Sequence, residues 1–157
     1  MDLLWLALDE SLSQQAFESR VMAVWAKESA QRPCALLLNH PLVLSEDRWR
    51  ALLLQTIELT SPSPSLGSEA LRQERRTMLG HIELKQIASS CVCCAPQGHV
   101  GLLLAGMFRR LLSLSKQVSS LPGTVAVLLV GSAALQESNL RRSIRYLQPP
   151  PRLQRVF

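Results

Sequence analysis

Aromatic residues are scarce in this chain: three Trp, three Phe and one Tyr account for 4% of 157 residues. A core built with so few rings has to be aliphatic, and leucine is the residue that fills it. Long apolar runs are also missing. None approaches the roughly 20 residues that a membrane-crossing helix needs, so no membrane partner is expected. The opening Met1-Asp-Leu-Leu-Trp-Leu-Ala-Leu-Asp9 is apolar, but it lacks a basic start and is cut short by Asp9 and Glu10, which argues against a signal peptide and for a cytoplasmic protein. Nor is there a dispersed cysteine framework. Of four cysteines, three are packed together, unlike a secreted disulfide scaffold.

What is present fits a single globular domain over residues 1–157, with 47% hydrophobic residues, enough to bury one core. The formal charge of +5 is modest. It arises largely from Arg109, Arg110, Arg141, Arg142, Arg145, Arg152 and Arg155. Ordinary solvated arginines account for it, and nucleic acid is not expected as a partner.

Apolar runs alternate with helical periodicity along the chain. Leu3 to Leu8, Cys34 to Asn39 and Thr124 to Val130 have the fully apolar character of buried parallel strands. Between the first two, Phe17, Val21, Val24 and Trp25 share one helix face. Ser45 is a fitting N-cap, with Glu46 and Asp47 in the first turn of a helix that carries Trp49, Leu52 and Leu53 inward. Thr60 to Ser68 is a loop, and Glu69 to Leu79 a charged helix. His81 to Ile87 alternates as a strand with one polar face. From near Gln97, Val100, Leu103, Leu104, Met107, Phe108, Leu111 and Leu112 form one apolar stripe. Gly131-Ser132 should give a tight exit into a last helix, roughly Leu135 to Leu147, ended by Pro149-Pro150-Pro151. Arg152 to Phe157 is either the start of another strand or a loose tail.

Strands alternating with helices predict an α/β fold: a mainly parallel sheet with helices on both faces, in the manner of a P-loop-NTPase-like three-layer sandwich. Sites in such folds gather at the carboxyl ends of the strands. Cys34 starts its strand, about five residues and on the order of 17 Å from that edge, so it should pack as a small hydrophobe. His40 ends the same strand. The distinctive stretch is Cys91-Val92-Cys93-Cys94, three thiols in four residues between a strand and a helix, a soft ligand set suited to zinc or cuprous copper. His40, His99 or His81 are candidates for a further ligand, with His99 nearest in sequence and His81 more in keeping with a structural role. Three readings stay open: thiolate coordination, a redox-active thiol pair, and inert thiols.

The order of elements, with Glu83-Leu84 followed by Cys91-Val-Cys-Cys94, resembles the CobW family of P-loop GTPases, which deliver or insert metals and carry a Cys-x-Cys-Cys turn leading into a helix. The resemblance implies a Gly-rich phosphate loop after the first strand. Here that place reads Asp9-Glu-Ser-Leu-Ser-Gln-Gln-Ala16, with no glycine, no lysine and two acids, so no nucleotide is expected. Asn39 and Asp47 match the family's next segment, but His40 and Val43 stand where it has acids. Gly131-Ser-Ala-Ala134 lacks the carboxylate that would organise magnesium, and the base-reading motif and second domain of the family would fall beyond Phe157.

The resemblance therefore implies a pseudo-GTPase with metal ligands Cys91, Cys93, Cys94, His40 and His99, zinc as the expected metal, and a metal ion or metalloprotein as partner. The alternative is a divergent GTPase, or GTPase subunit of metal homeostasis, that still binds nucleotide. A third reading is an adaptor whose arginine-bearing last helix docks an acidic partner. A second copy of the chain is a further candidate partner, through the last strand.

Overall fold

The computed structural model describes residues 1–43, 45–60, 84–87, 99–117, 123–133 and 135–157. In chain order the elements are β1 (Asp2–Leu8), α1 (Gln14–Ser29), β2 (Cys34–Asn39), α2 (Glu46–Thr60), β3 (Leu84–Gln86), α3 (His99–Gln117), β4 (Ala126–Ser132), α4 (Glu137–Ile144) and β5 (Arg152–Arg155). Each apolar run identified in the sequence falls on a strand. Arg152 to Arg155 forms one as well, which settles the tail in favour of the strand.

All five strands are parallel, in the order β3-β2-β4-β1-β5. β4 lies between β1 and β2 and pairs with both along nearly its whole length, from Asp2↔Ala126 to Leu8↔Ser132 and from Cys34↔Ala126 to Asn39↔Gly131. Because successive side chains point to opposite faces of a strand, the apolar runs feed two cores. Leu4, Leu6, Leu8, Leu36, Leu38, Leu128 and Val130 pack with Phe17, Val21 and Trp25 of α1 and Trp49 and Leu53 of α2. Leu3, Trp5, Ala35, Leu37, Val127 and Leu129 pack with Val100, Leu104, Met107, Phe108 and Leu111 of α3 and with Leu140 and Ile144 of α4. The result is an α/β three-layer sandwich of the P-loop-like kind.

The helices start where their polar residues allow. Ser13 caps α1 by accepting the Ala16 N–H at 3.2 Å, and the Ser45 hydroxyl accepts the Arg48 N–H at 3.2 Å at the head of α2. Two ion pairs tie distant parts of the chain together. Arg48 grips both carboxylate oxygens of Glu18, at 2.6 and 2.9 Å, joining α2 to α1. Arg32 binds Glu28 at 2.7 Å and also Asp2, fixing the end of α1 to the start of β1.

Two boundaries differ from the sequence expectation. β4 runs on through Gly131 and Ser132, which pair with Ala7, Asn39 and Leu8 instead of forming the exit turn. The turn comes later, where the Leu135 N–H donates to the Ser132 carbonyl at 2.9 Å. That turn folds Leu135 back so closely that a Cβ at position 131 would stand 2.5 Å from its Cδ2, so a larger residue there would have to displace the Leu135 side chain. In turn α4 is shorter than the periodicity suggested, since Leu135 is already spent as a buried plug ahead of the helix.

α3 meets α4 closely at Gly101, where a Cβ would stand 2.8 Å from the Ser143 carbonyl oxygen. At Gly106, by contrast, a Cβ would meet only the Arg110 guanidinium, at 3.4 Å. Helix propensity favours alanine over glycine by about 1 kcal/mol at both positions. We therefore expect Gly106→Ala to raise stability by up to about 1 kcal/mol, and Gly101→Ala to lower it by about 1–3 kcal/mol through overpacking against backbone. Urea unfolding of the two variants checks the opposite signs.

Candidate functional site

The fold brings a small set of polar residues to one end of the sheet. β1 leads into α1, and β2 into α2, on one face; the neighbouring β4 leads into α4 on the other face. Adjacent strands whose helices depart to opposite faces open a crevice at their carboxyl ends, the usual ligand position in open α/β sheets. Around it stand the ends of β1 (Leu8, Asp9), β2 (Asn39, His40) and β4 (Ser132), held level by the pairings Leu8↔Ser132 and Asn39↔Gly131. The Asn39 side-chain amide donates to the Ile87 carbonyl at 3.3 Å, so the end of β3 joins the same edge.

The β1–α1 connection occupies the place of a phosphate loop. It comprises only residues 9–13, and no non-glycine residue with positive φ occurs among the described residues. Asp9 folds over its own loop. Its Oδ1 accepts the Ser11 N–H at 2.7 Å, and its carbonyl accepts the Leu12 N–H at 3.4 Å. Hydrogen bonds from the side chain and backbone of Ser11 hold the Asp9 carboxyl below its usual range. The Ser13 hydroxyl takes the Ala16 N–H. Loop amides that would otherwise face an anion are thus satisfied by this chain's own oxygens, and Asp9 and Glu10 bring negative charge to the spot. This is the reverse of the open amides and nearby cation by which a helix N-terminus holds a phosphate.

His40 is buried, with its ring stacked on Phe17 at a centroid distance of 4.4 Å. Phe17 in turn meets Trp49 edge-on at 5.7 Å. The backbone N–H of Leu42 donates to His40 Nδ1 at 3.2 Å, so that nitrogen carries a lone pair. Nε2 therefore bears the proton and donates to the Leu8 carbonyl, also at 3.2 Å. Burial pushes the His40 pKa down, while the Leu8 carbonyl, Glu10 and Asp9 pull the other way without prevailing. With both nitrogens engaged, His40 has no lone pair to offer a metal in this arrangement. It ties the end of β1 to the turn after β2.

Cys34 opens β2 at the opposite edge, level with Ala126, and burial drives its thiol up to about 12. The inert packing role expected of it fits this environment. His99 is the first residue of α3. Cys91, Cys93, Cys94 and His81 lie outside the described residues, as do the expected helix at 69–79 and the loop that follows Thr60. Among the described residues no group of three His, Cys, Asp or Glu is placed to hold a metal, and no helix is long and apolar enough to cross a membrane. The indole N–H of Trp49 is fully buried with no hydrogen-bond partner among the described residues. Sequence reasoning did not foresee that orphan donor, nor the backbone partners of His40, since neither leaves a local pattern.

Comparison of the chain with protein-family models, with curated proteins and with solved structures finds no match in any of the three.

The His40 arrangement has a pH signature. A histidine whose folded pKa lies below its unfolded value of 6.5 leaves stability unchanged above that pH, where the ring is neutral in both states. As pH falls below 6.5 the unfolded chain binds the proton first, and stability drops until the folded pKa is passed. His40→Leu should remove that component of the slope between pH 6.5 and the folded pKa, and should cost about 1–3 kcal/mol by stranding the Leu42 N–H. Urea midpoints measured across this range for parent and variant check both effects.

Proposed function

We propose that this chain is a nucleotide-free, CobW-like protein that binds a soft metal ion, zinc in the first instance, or a metal-bearing partner, through Cys91, Cys93 and Cys94. The observation that carries the nucleotide-free half is the Asp9 turn. Where a phosphate loop would offer bare amides and a lysine, this loop offers a carboxylate already bonded to Ser11 and a second acid at Glu10. These residues do not suit a catalytic step through a nucleotide.

The metal half rests on the donor set. Three thiols become thiolates on binding zinc, which favours four sulfur or nitrogen ligands in a tetrahedron. Cys91, Cys93 and Cys94 supply three, and His99, opening α3 five positions after Cys94, is the candidate for the fourth. His40 leaves the ligand set, since its two nitrogens already serve Leu8 and Leu42. Supporting this choice, Ile87 is held at the carboxyl edge by Asn39, four positions before Cys91. Bound zinc would supply a Lewis-acidic, thiolate-rich centre; the chain's own part is to supply the three thiols and the imidazole.

Zinc titration monitored by competition with a chromophoric chelator tests the reading. The parent should bind at least about tenfold more tightly than a Cys93→Ser, Cys94→Ser variant; equal affinity would sink the thiol assignment. Isothermal titration with GTP and with ATP should give no heat of binding. A dissociation constant at about the micromolar level would reverse the nucleotide-free half and favour the divergent GTPase.

A further inference from the structure

The last 21 residues carry five arginines against one glutamate, a net of +4 out of the chain's +5. Arg141 is neutralised locally by Glu137, at 2.6 Å. Arg142, Arg145, Arg152 and Arg155 make no ion pair with a carboxylate among the described residues. Two of these four, Arg152 and Arg155, lie on β5, a sheet edge.

The hydrogen bonds of β5 fix which of its backbone groups are spoken for. The Arg152 N–H donates to the Met1 carbonyl and the Val156 N–H to the Trp5 carbonyl, both at 3.0 Å. Strand alternation then turns the N–H and C=O groups of Leu153 and Arg155 away from β1, toward the outer side of the sheet. The Arg155 guanidinium is held in place, 5.0 Å above the Trp5 ring and 5.1 Å from the Phe157 ring. A planar cation parked between two rings loses little freedom when it meets a carboxylate.

We propose that β5 is a docking edge for an extended acidic peptide segment of a partner protein, which adds a strand to the sheet beside Leu153 and Arg155 and sets its carboxylates against Arg152 and Arg155. The mode is strand addition, in which main-chain hydrogen bonds give affinity and flanking side chains give selectivity. Charge decides between this occupant and a second copy of the chain. An antiparallel β5–β5 pair that uses the outward groups of Leu153 and Arg155 centres on Gln154, leaves the two Arg155 side chains as diagonal neighbours on one face, and gathers four arginines with no carboxylate on either strand. An acidic segment in place of the second copy gives those arginines partners of opposite sign. The proposal stands independently of the thiol reading.

The test uses the full chain and a fluorescein-labelled octapeptide of valine and threonine with glutamates three residues apart, the spacing of Arg152 and Arg155, so that carboxylates fall on both faces of the added strand; binding is followed by fluorescence anisotropy. Binding should weaken about fivefold or more as salt rises from roughly 50 to 300 mM, and about tenfold in Arg152→Gln, Arg155→Gln. Arg155→Ala and Arg155→Pro both lose the cation, but only the second loses the outward N–H, so the proline variant should bind about threefold to tenfold more weakly than the alanine one. Should Arg155→Pro fail to fold, hydrogen exchange on the parent decides. The Leu153 and Arg155 amides slow on adding peptide if the strand docks, and unchanged exchange overturns it. Three other results overturn the proposal: no binding at about 1 mM peptide, equal binding by folded Arg155→Ala and Arg155→Pro, or tighter binding of a labelled oligo-dT than of the peptide.

Discussion

A strand with neighbours on both sides and helices on both faces has no room for a polar side chain along its length, and β4 is such a strand. All residues from Val125 to Gly131 are buried, and β1 and β2 are apolar to match. The constraint has a consequence for chemistry. Polar residues on the central strands are pressed to the ends, where the pairing with β4 brings the ends of β1 and β2 level with its own. Asp9, Asn39 and His40 gather at the carboxyl edge for that reason, and Cys34 is left at the amino edge among apolar neighbours.

At the carboxyl edge the polar groups spend their hydrogen bonds on one another and on backbone. Asp9 serves its own turn, Asn39 serves the end of β3, and His40 joins the end of β1 to the turn after β2. A preorganised anion site has the reverse character, with donors held open by glycine backbone and a cation nearby. Acids and hydroxyls that bond to the chain's own backbone make this edge a structural clasp. The stacking of His40 on Phe17, with the edge-on contact of Phe17 and Trp49, extends that clasp inward to α1 and α2.

Much of this was legible in the sequence, because the signals involved are local. Three buried strands announce themselves as apolar runs, and the stripe from Val100 to Leu112 fixes α3 and its buried face. The Ser45 cap and the inward position of Trp49 and Leu53 follow from residue type and spacing alone. What escaped depends on partners far along the chain. His40 at the end of an apolar strand looks like a ligand until the Leu8 carbonyl, 32 residues earlier, claims its Nε2. Glu18 and Arg48 are 30 residues apart and carry no pattern that pairs them. Gly131 resembles a turn residue, yet it lies within a strand that continues past it, with the Leu135 side chain folded back against it.

The two edges of the sheet are finished differently, and the difference bears on how the fold stays single. β3 spans three described residues, and its Gln86 side chain and backbone are tied to α2 and its approach, through the Val43 carbonyl and the Glu46 carboxylate. That edge is short and covered by its own chain. Among the described residues no strand pairs with the outer side of β5, arginines flank its outward-facing backbone groups, and three prolines lead into it. Charge on an exposed edge discourages self-pairing without closing the edge to a segment of opposite sign. An apolar edge would have risked aggregation, and a covered one would have had nothing to offer; a charged one keeps the sheet from extending with its own kind.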